Sequence, residues 1–314
     1  MEKQQQMSKI YFKKYLLSLT LISIFALSCA TAPQKIDSSL VLTNGNISAE
    51  VSNLFEKTSL PHPRSLSEAI EFSQEGWLRK KGSERWQMQS KFDFDPSAKE
   101  AVKHSFAHLL MTSAVIPQQK HYDFVLIMGA TAQTMRERFT FFLDMWKNKG
   151  IYAPKIIFLV GQRPIDPLIE GEKILNGGNP QAPMLKKLPP PLKWMPKDET
   201  EIAQLIVHQA TLPQGLSKDM ILFSDTPMQK SLSGSVVRPD TTDTVNYWLK
   251  NQTVSEGTIL AVSSNPVCGY QHAALERALP SNFKLETVGP AAPSTEDFGL
   301  YFDSLARWLY QYRD

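Results

Sequence analysis

Cysteine is nearly absent: 314 residues hold two, Cys29 and Cys268. Two thiols cannot form a disulfide framework, and a four-cysteine zinc site is excluded. There is no G-x-G-x-x-G loop, no H-E-x-x-H helix and no internal repeat. No apolar run reaches the ~20 residues that a membrane-spanning helix needs. Stability must therefore come from a hydrophobic core, and 42% apolar residues is an ordinary supply for one.

Positive charge is also scarce once its position is considered. The chain carries a formal +3, and residues 1–28 alone hold Lys3, Lys9, Lys13, Lys14 and a single Glu2. The rest is neutral, so no net field remains to attract nucleic-acid phosphates. Those lysines precede Tyr15–Leu27, a run that is apolar except for Ser18, Thr20 and Ser23. A basic start, a short apolar stretch and small residues beyond it read as a secretory signal spanning residues 1–28. Ala26-Leu27-Ser28-Cys29 resembles the lipobox of bacterial lipoproteins, with Ala26 where leucine is preferred. The resemblance implies cleavage before Cys29, a lipid on its thiol, and a membrane-anchored chain of 286 residues in the cell envelope. The alternatives are an ordinary signal cleaved nearby and an uncleaved anchor. Ala30, rather than Asp, implies outer-membrane sorting on the periplasmic side if the host is Gram-negative. With Cys29 lipidated, Cys268 has no partner in the chain.

Residues 29–48 are polar and turn-rich and read as a tether. Residues 49–118 read as a mainly helical segment packed on the main domain, with helix starts at Ser65 and Pro96. From 119 to 314 the pattern alternates. Continuous apolar runs at 124–128, 155–160, 220–223, 258–262 and 283–288 read as strands buried on both faces. Helical periodicity separates them at 132–149, 198–210, 242–251 and 269–279, and a last helix covers 298–312. This predicts an α/β fold: an open, mostly parallel, Rossmann-like sheet of about five strands with helices on both faces. The Pro/Gly-rich stretch 162–198 interrupts the rhythm and reads either as a surface insertion or as a lid.

Open parallel sheets bind ligands beyond the C-terminal ends of their strands. Five stretches qualify. Gly129 and Thr131 lead from the first strand into a helix carrying Arg136 and Arg138, where backbone N–H groups and an arginine would meet an anion; Arg136 is the arginine selected. Gly161 and Arg163 follow the second strand. In Asp198-Glu199-Thr200-Glu201 the helix dipole accounts for most of the acidity, and Glu201 is taken as the carboxylate facing the crevice. Thr241 and Asp243 offer hydroxyl and carboxylate groups to a sugar, although Asp240 or Thr241 would also serve as an N-cap. Ser264 and Asn265 follow the fourth strand. Cys268 and His272, four apart, have the spacing of a nucleophile and its base, but no third group orients them, so an inert buried thiol is the preferred reading. His104 and His108 have metal-ligand spacing without a third ligand, and no metal site is expected.

Taken in order, these stretches resemble the YdcF/ElyC/SanA-like family of bacterial envelope proteins over about residues 121–290. Phe124–Gly129 with Arg136 is similar to the family's first strand, glycine and helix arginine. Gly161-Gln162-Arg163-Pro164 stands where Ser-Gly-Gly is usual. Glu199-Thr200-Glu201-Ile202 through Leu212-Pro213 resembles its acidic helix start and closing proline. Asp240–Val245 is similar to its Thr-x-Glu-Asn-Ala element, with Thr241 on the threonine, Asp243 on the acidic residue and Thr244 replacing the asparagine. After the fourth strand, Val267 and Tyr270 stand at or near places where many members carry His and Arg. The resemblance implies a Rossmann-like fold and an envelope role in biogenesis or barrier function. The crevice expected at the sheet edge suggests a small polar or nucleotide-like ligand, without deciding whether the protein is an enzyme. The cofactor is left open between S-adenosylmethionine and a nucleotide. Two alternatives stand beside this reading: a non-catalytic scaffold with a degenerate site, and an adenosyl-dependent transferase, against which export and the missing Gly-rich loop argue.

Overall fold

A computed structural model describes residues 36, 40–41, 45–80, 83–85, 88, 92–175, 195–231, 234–252, 254–293 and 298–313. The signal segment, Cys29, most of the tether and residues 176–194 of the insertion lie outside the described residues.

Five apolar runs form one parallel sheet: β1 (Phe124–Met128), β2 (Lys155–Gly161), β3 (Ile221–Thr226), β6 (Gly257–Val262) and β7 (Phe283–Val288), in the order β3-β2-β1-β6-β7. The central runs β1 and β2 lack hydrophobic/polar alternation because both faces are covered, whereas the edge strands β3 and β7 keep partly exposed positions and β7 alternates through Lys284 and Glu286. Val125, Ile127, Ile156, Phe158 and Val160 pack against α4 (Ala132–Asp144) and α6 (Glu199–Gln209). The intervening residues Leu126, Met128, Ile157, Leu159 and Ala261 pack against α7 (Thr241–Asn251) and α8 (Cys268–Ala278). Each fully buried aliphatic or aromatic side chain contributes about 1.5–3 kcal/mol. The expected α/β class is observed and each expected run falls on a strand, although β3 extends to Thr226, beyond the expected 220–223. A two-stranded hairpin, β4 (Gln229–Lys230) with β5 (Val236–Val237), had no counterpart among the expected strands; its strands are too short for a periodic signal.

Helix starts follow the capping residues. Ser65 accepts from Glu68 N at the head of α2 (Leu66–Gly76). Asp95 accepts from Ala98 N ahead of Pro96 at the start of α3 (Pro96–His108). These helices and α1 (Ala49–Lys57) share a core with α9 (Gly299–Leu309) and part of α8. Trp77 stacks on Phe55 with ring centroids 4.2 Å apart and lies 5.1 Å from Phe302. Its buried indole N–H is satisfied by Thr58 Oγ1 at 3.1 Å. Where α8 meets α9, a Cβ on Gly269 would lie 2.5 Å from the Trp308 ring, so only glycine permits this approach. The N-terminal helices and the last helix thus share one core, and the segment after α3 is joined to the end of β7 where Val115 pairs with Gly289. No helix among the described residues is long and apolar enough to cross a membrane.

The chain runs outward from β1 to β2 to β3, then returns through α7 to place β6 on the other side of β1. The strand order reverses between β1 and β6, and that is where a crevice is expected.

Candidate functional site

A crevice of about 530 Å³ opens at the C-terminal ends of β1, β2 and β6. Arg138, in the second turn of α4, forms part of its floor. The residue is 1% exposed. Its Nη1 donates to the carbonyls of Met128 (2.8 Å) and Gly129 (2.9 Å), and its Nε and Nη2 donate to Ser264 Oγ (3.2 and 3.1 Å). The guanidinium therefore bridges the ends of β1 and β6 at the switch point. Among the described residues no carboxylate lies within ion-pair distance of it. Burial pushes its pKa down to about 10, so it remains cationic at neutral pH.

Beside it lies a buried triad. Glu170, 0% exposed, accepts from Arg163 Nη1 and Nη2 (both 2.9 Å), from Asp166 N (3.1 Å) and from Ala132 N (3.0 Å). Ala132 is the first residue of α4, so this carboxylate occupies the anion position that the helix N-terminus offers. The expected ligand anion at Gly129-Ala130-Thr131 is replaced there by the chain's own glutamate. Arg163 also donates through Nε to Glu199 Oε2 at 3.0 Å. Burial works against the charge of Arg163, but its bonds to Glu170 and Glu199 outweigh it and hold the group protonated. Glu199 reaches over Gly129, where a Cβ would sit 2.0 Å from its Oε1 and 2.6 Å from the Leu159 carbonyl. Glycine is required at 129 for this carboxylate and the β2 backbone to fit together. Burial raises the Glu199 pKa despite the opposing pull of Arg163.

The crevice gathers seven of the ten residues expected to bind a ligand. Gly129, Thr131, Gly161 and Arg163 come from the β1 and β2 ends; Thr241 comes from the start of α7; Ser264 and Asn265 follow β6. Asn265 donates to the carbonyls of Leu110 (2.8 Å) and Ser113 (2.5 Å), pinning the 110–113 turn beside the crevice.

Three expectations are corrected. Arg136 is 0% exposed and points away, donating to the carbonyls of Ile174 and Leu175 (the latter at 2.6 Å) and to Gln209 Oε1 (2.9 Å). It ties α5 (Glu172–Leu175) to α6. Two helical residues subtend about 200°, so Arg136 and Arg138 leave α4 on opposite sides. Glu201 accepts from Lys197 N at 2.8 Å while its own N–H donates to Asp198 at 2.9 Å, and both groups serve as helix caps. Asp243 forms a capping box with Asp240, each carboxylate accepting the other's N–H at 2.9 Å. In both acidic segments a neighbour lines the crevice instead: Glu199 and Asp240.

Sequence reasoning also missed Glu170, the buried partner of Arg163, and an arginine group, Arg79, Arg85, Arg238 and Arg307, that lines the crevice. The only sequence signal for the latter is the basic stretch Arg79-Lys80-Lys81 with Arg85, which reads equally well as a solvated face. Cys268 is 1% exposed, and burial pushes its thiol up to about 12, while His272 Nδ1 lies 3.0 Å from Thr287 Oγ1. A thiol held protonated in this way is no nucleophile at neutral pH. His104 and His108 face each other with ring centroids 4.1 Å apart. No group of three metal-ligating side chains occurs among the described residues.

Fold and crevice define an α/β protein with an open parallel sheet and a polar, arginine-bearing site at its switch point. No family model matches the chain, and no curated protein or solved structure is significantly similar to it.

Proposed function

We propose that this chain is an exported, lipid-anchored envelope protein whose α/β domain binds a small anionic, nucleotide-like ligand in the switch-point crevice. The observation that carries the binding reading is Arg138: a buried guanidinium with no carboxylate partner among the described residues, held between β1 and β6 by carbonyls and a serine hydroxyl. A buried cation of this kind gains most from an anion that completes its shell. Glu199, Asp240 and Thr241 supply acceptors and a hydroxyl for the sugar or amine portion of such a ligand. The residues after β6 favour binding over catalysis, since Val267 and Tyr270 line the crevice and Cys268 is un-ionised. The envelope role rests on the leader and on the resemblance to the YdcF/ElyC/SanA-like family.

The binding half is tested by thermal shift on the full chain in detergent. The library holds nucleotides, nucleotide sugars, adenosyl compounds and peptidoglycan fragments. A ligand at 100 times its Kd adds about 2.7 kcal/mol of stability. The expected result is a hit among the phosphate-bearing compounds that Arg138→Met weakens by about 2 kcal/mol, roughly thirtyfold in Kd. A folded protein that no anionic compound stabilises would sink the reading.

The anchoring half is tested by the intact mass of protein extracted from bacterial membranes. The expected chain begins at Cys29 and carries acyl groups, and Cys29→Ser leaves an unacylated precursor. A processed chain without acyl mass would refute the anchor.

A further inference from the structure

Three further arginines of the crevice lining belong to two distant segments. Arg79 and Arg85 follow α2, and Arg307 lies on α9. They converge on Asp303, which is 0% exposed. Its Oδ1 accepts from Arg79 N (3.1 Å), and its Oδ2 accepts from Arg79 Nη1 (2.7 Å) and Arg307 Nε (3.1 Å). Arg85 Nε stops 3.9 Å from the same oxygen, outside hydrogen-bond range. That nitrogen is buried and has no hydrogen-bond partner among the described residues. Arg238 lies 3.2 Å from Glu84 at the edge of the group. Four guanidinium groups thus face two carboxylates among the described residues, leaving an excess of two positive charges on one wall. Burial lowers the pKa of Arg79 and Arg85, and repulsion from Arg307 adds to it at both. Cations crowded this way are tolerated where an anion joins them.

We infer that Arg79, Arg85 and Arg307 form a second anion subsite in the crevice, so that the ligand is a diphosphate compound such as a nucleoside diphosphate or its sugar ester. This rests on the reading that the crevice binds an anion at Arg138. Both positive centres line one crevice, whereas Glu199 and Asp240 line its remaining wall. Their carboxyl groups accept from hydroxyl groups there, which orients the ligand. Guanidinium forks match phosphate oxygens in pairs, and two separated arginine centres accommodate two phosphoryl groups better than one.

The test is calorimetry on the full chain in detergent, with inorganic phosphate and pyrophosphate as probes at matched ionic strength. Pyrophosphate is expected to bind at least tenfold more tightly than phosphate. Arg85→Gln should remove most of that advantage, lowering pyrophosphate affinity more than phosphate affinity. Because Arg85 Nε makes no hydrogen bond among the described residues, the variant should also keep the ligand-free melting temperature. Equal affinity of the two probes for the wild type, or an unchanged ratio in the variant, overturns the second subsite while leaving the anion reading intact. A fall in the ligand-free melting temperature of Arg85→Gln makes the residue a packing element and overturns the assignment. Absence of binding by either probe removes both readings.

Discussion

Glu170→Ala is expected to lower the unfolding free energy by about 3–5 kcal/mol, the usual result of removing one partner from a buried ion pair. The carboxylate is 0% exposed and accepts four hydrogen bonds, two from Arg163 and two from the backbone of Ala132 and Asp166. Without it, Arg163 keeps the carbonyl of Pro164 and a single bond to Glu199, and the first N–H of α4 loses its acceptor. At about 2–4 °C per kcal/mol for a domain of this size, the melting temperature should fall by roughly 10 °C. Glu170→Gln should recover little, because its amide N–H₂ would face guanidinium donors. The double variant Glu170→Leu, Arg163→Met should be less destabilised than the two single variants together, since it removes both charges. Urea unfolding reads all of these proteins. A loss under about 1 kcal/mol in Glu170→Ala, the range of an exposed pair, would show that the triad contributes little. Phosphate adds a further readout, because vacating the α4 N-terminus opens a position for an anion, and phosphate should stabilise Glu170→Ala more than the wild type.

The centre of the sheet was legible in the sequence because β1 and β2 are buried on both faces. Phe124–Met128 stands where continuous apolar character placed it and ends at Gly129, whereas Phe283–Val288 is an edge strand that alternates through Lys284 and Glu286. Helix starts were legible wherever a side chain caps them, as at Asp198 and Asp240. The same capping concealed the site. Acidic residues at a helix start serve either the helix or the crevice, and their spacing does not distinguish Glu199 from Glu201 or Asp240 from Asp243. Arg136 and Arg138 posed the same problem. Both flank the apolar stripe of Met135, Phe139 and Phe142, one on each side, and only the position of β6 decides which arginine faces the switch point. Glu170 lies in a stretch without periodicity, and Arg79, Arg85 and Arg307 meet only through tertiary packing. Local patterns therefore located the floor of the crevice, while its charged walls depend on contacts between segments more than 200 residues apart, as for Arg79 and Asp303 with a separation of 224.

Asp303→Asn should have a comparably large effect, about 3–5 kcal/mol. The substitution preserves shape and still lets the side-chain oxygen accept from Arg79 N, but it directs an N–H₂ group at Arg79 Nη1 and Arg307 Nε. It also leaves four guanidinium groups against Glu84 alone among the described residues. If that charge excess is the cause of the loss, relieving it should restore stability. Adding Arg85→Gln removes one of the repelling cations, whose Nε has no hydrogen bond to lose among the described residues, so the double variant should melt above Asp303→Asn. The corresponding coupling energy should lie in the range of about 0.5–3 kcal/mol seen for residues that share one network. Pyrophosphate should likewise raise the melting temperature of Asp303→Asn by more degrees than it raises that of the wild type, because it supplies the missing negative charge. Additive losses in the double variant, together with no extra stabilisation by pyrophosphate, would instead assign Asp303 the purely geometric task of joining α9 to the segment after α2.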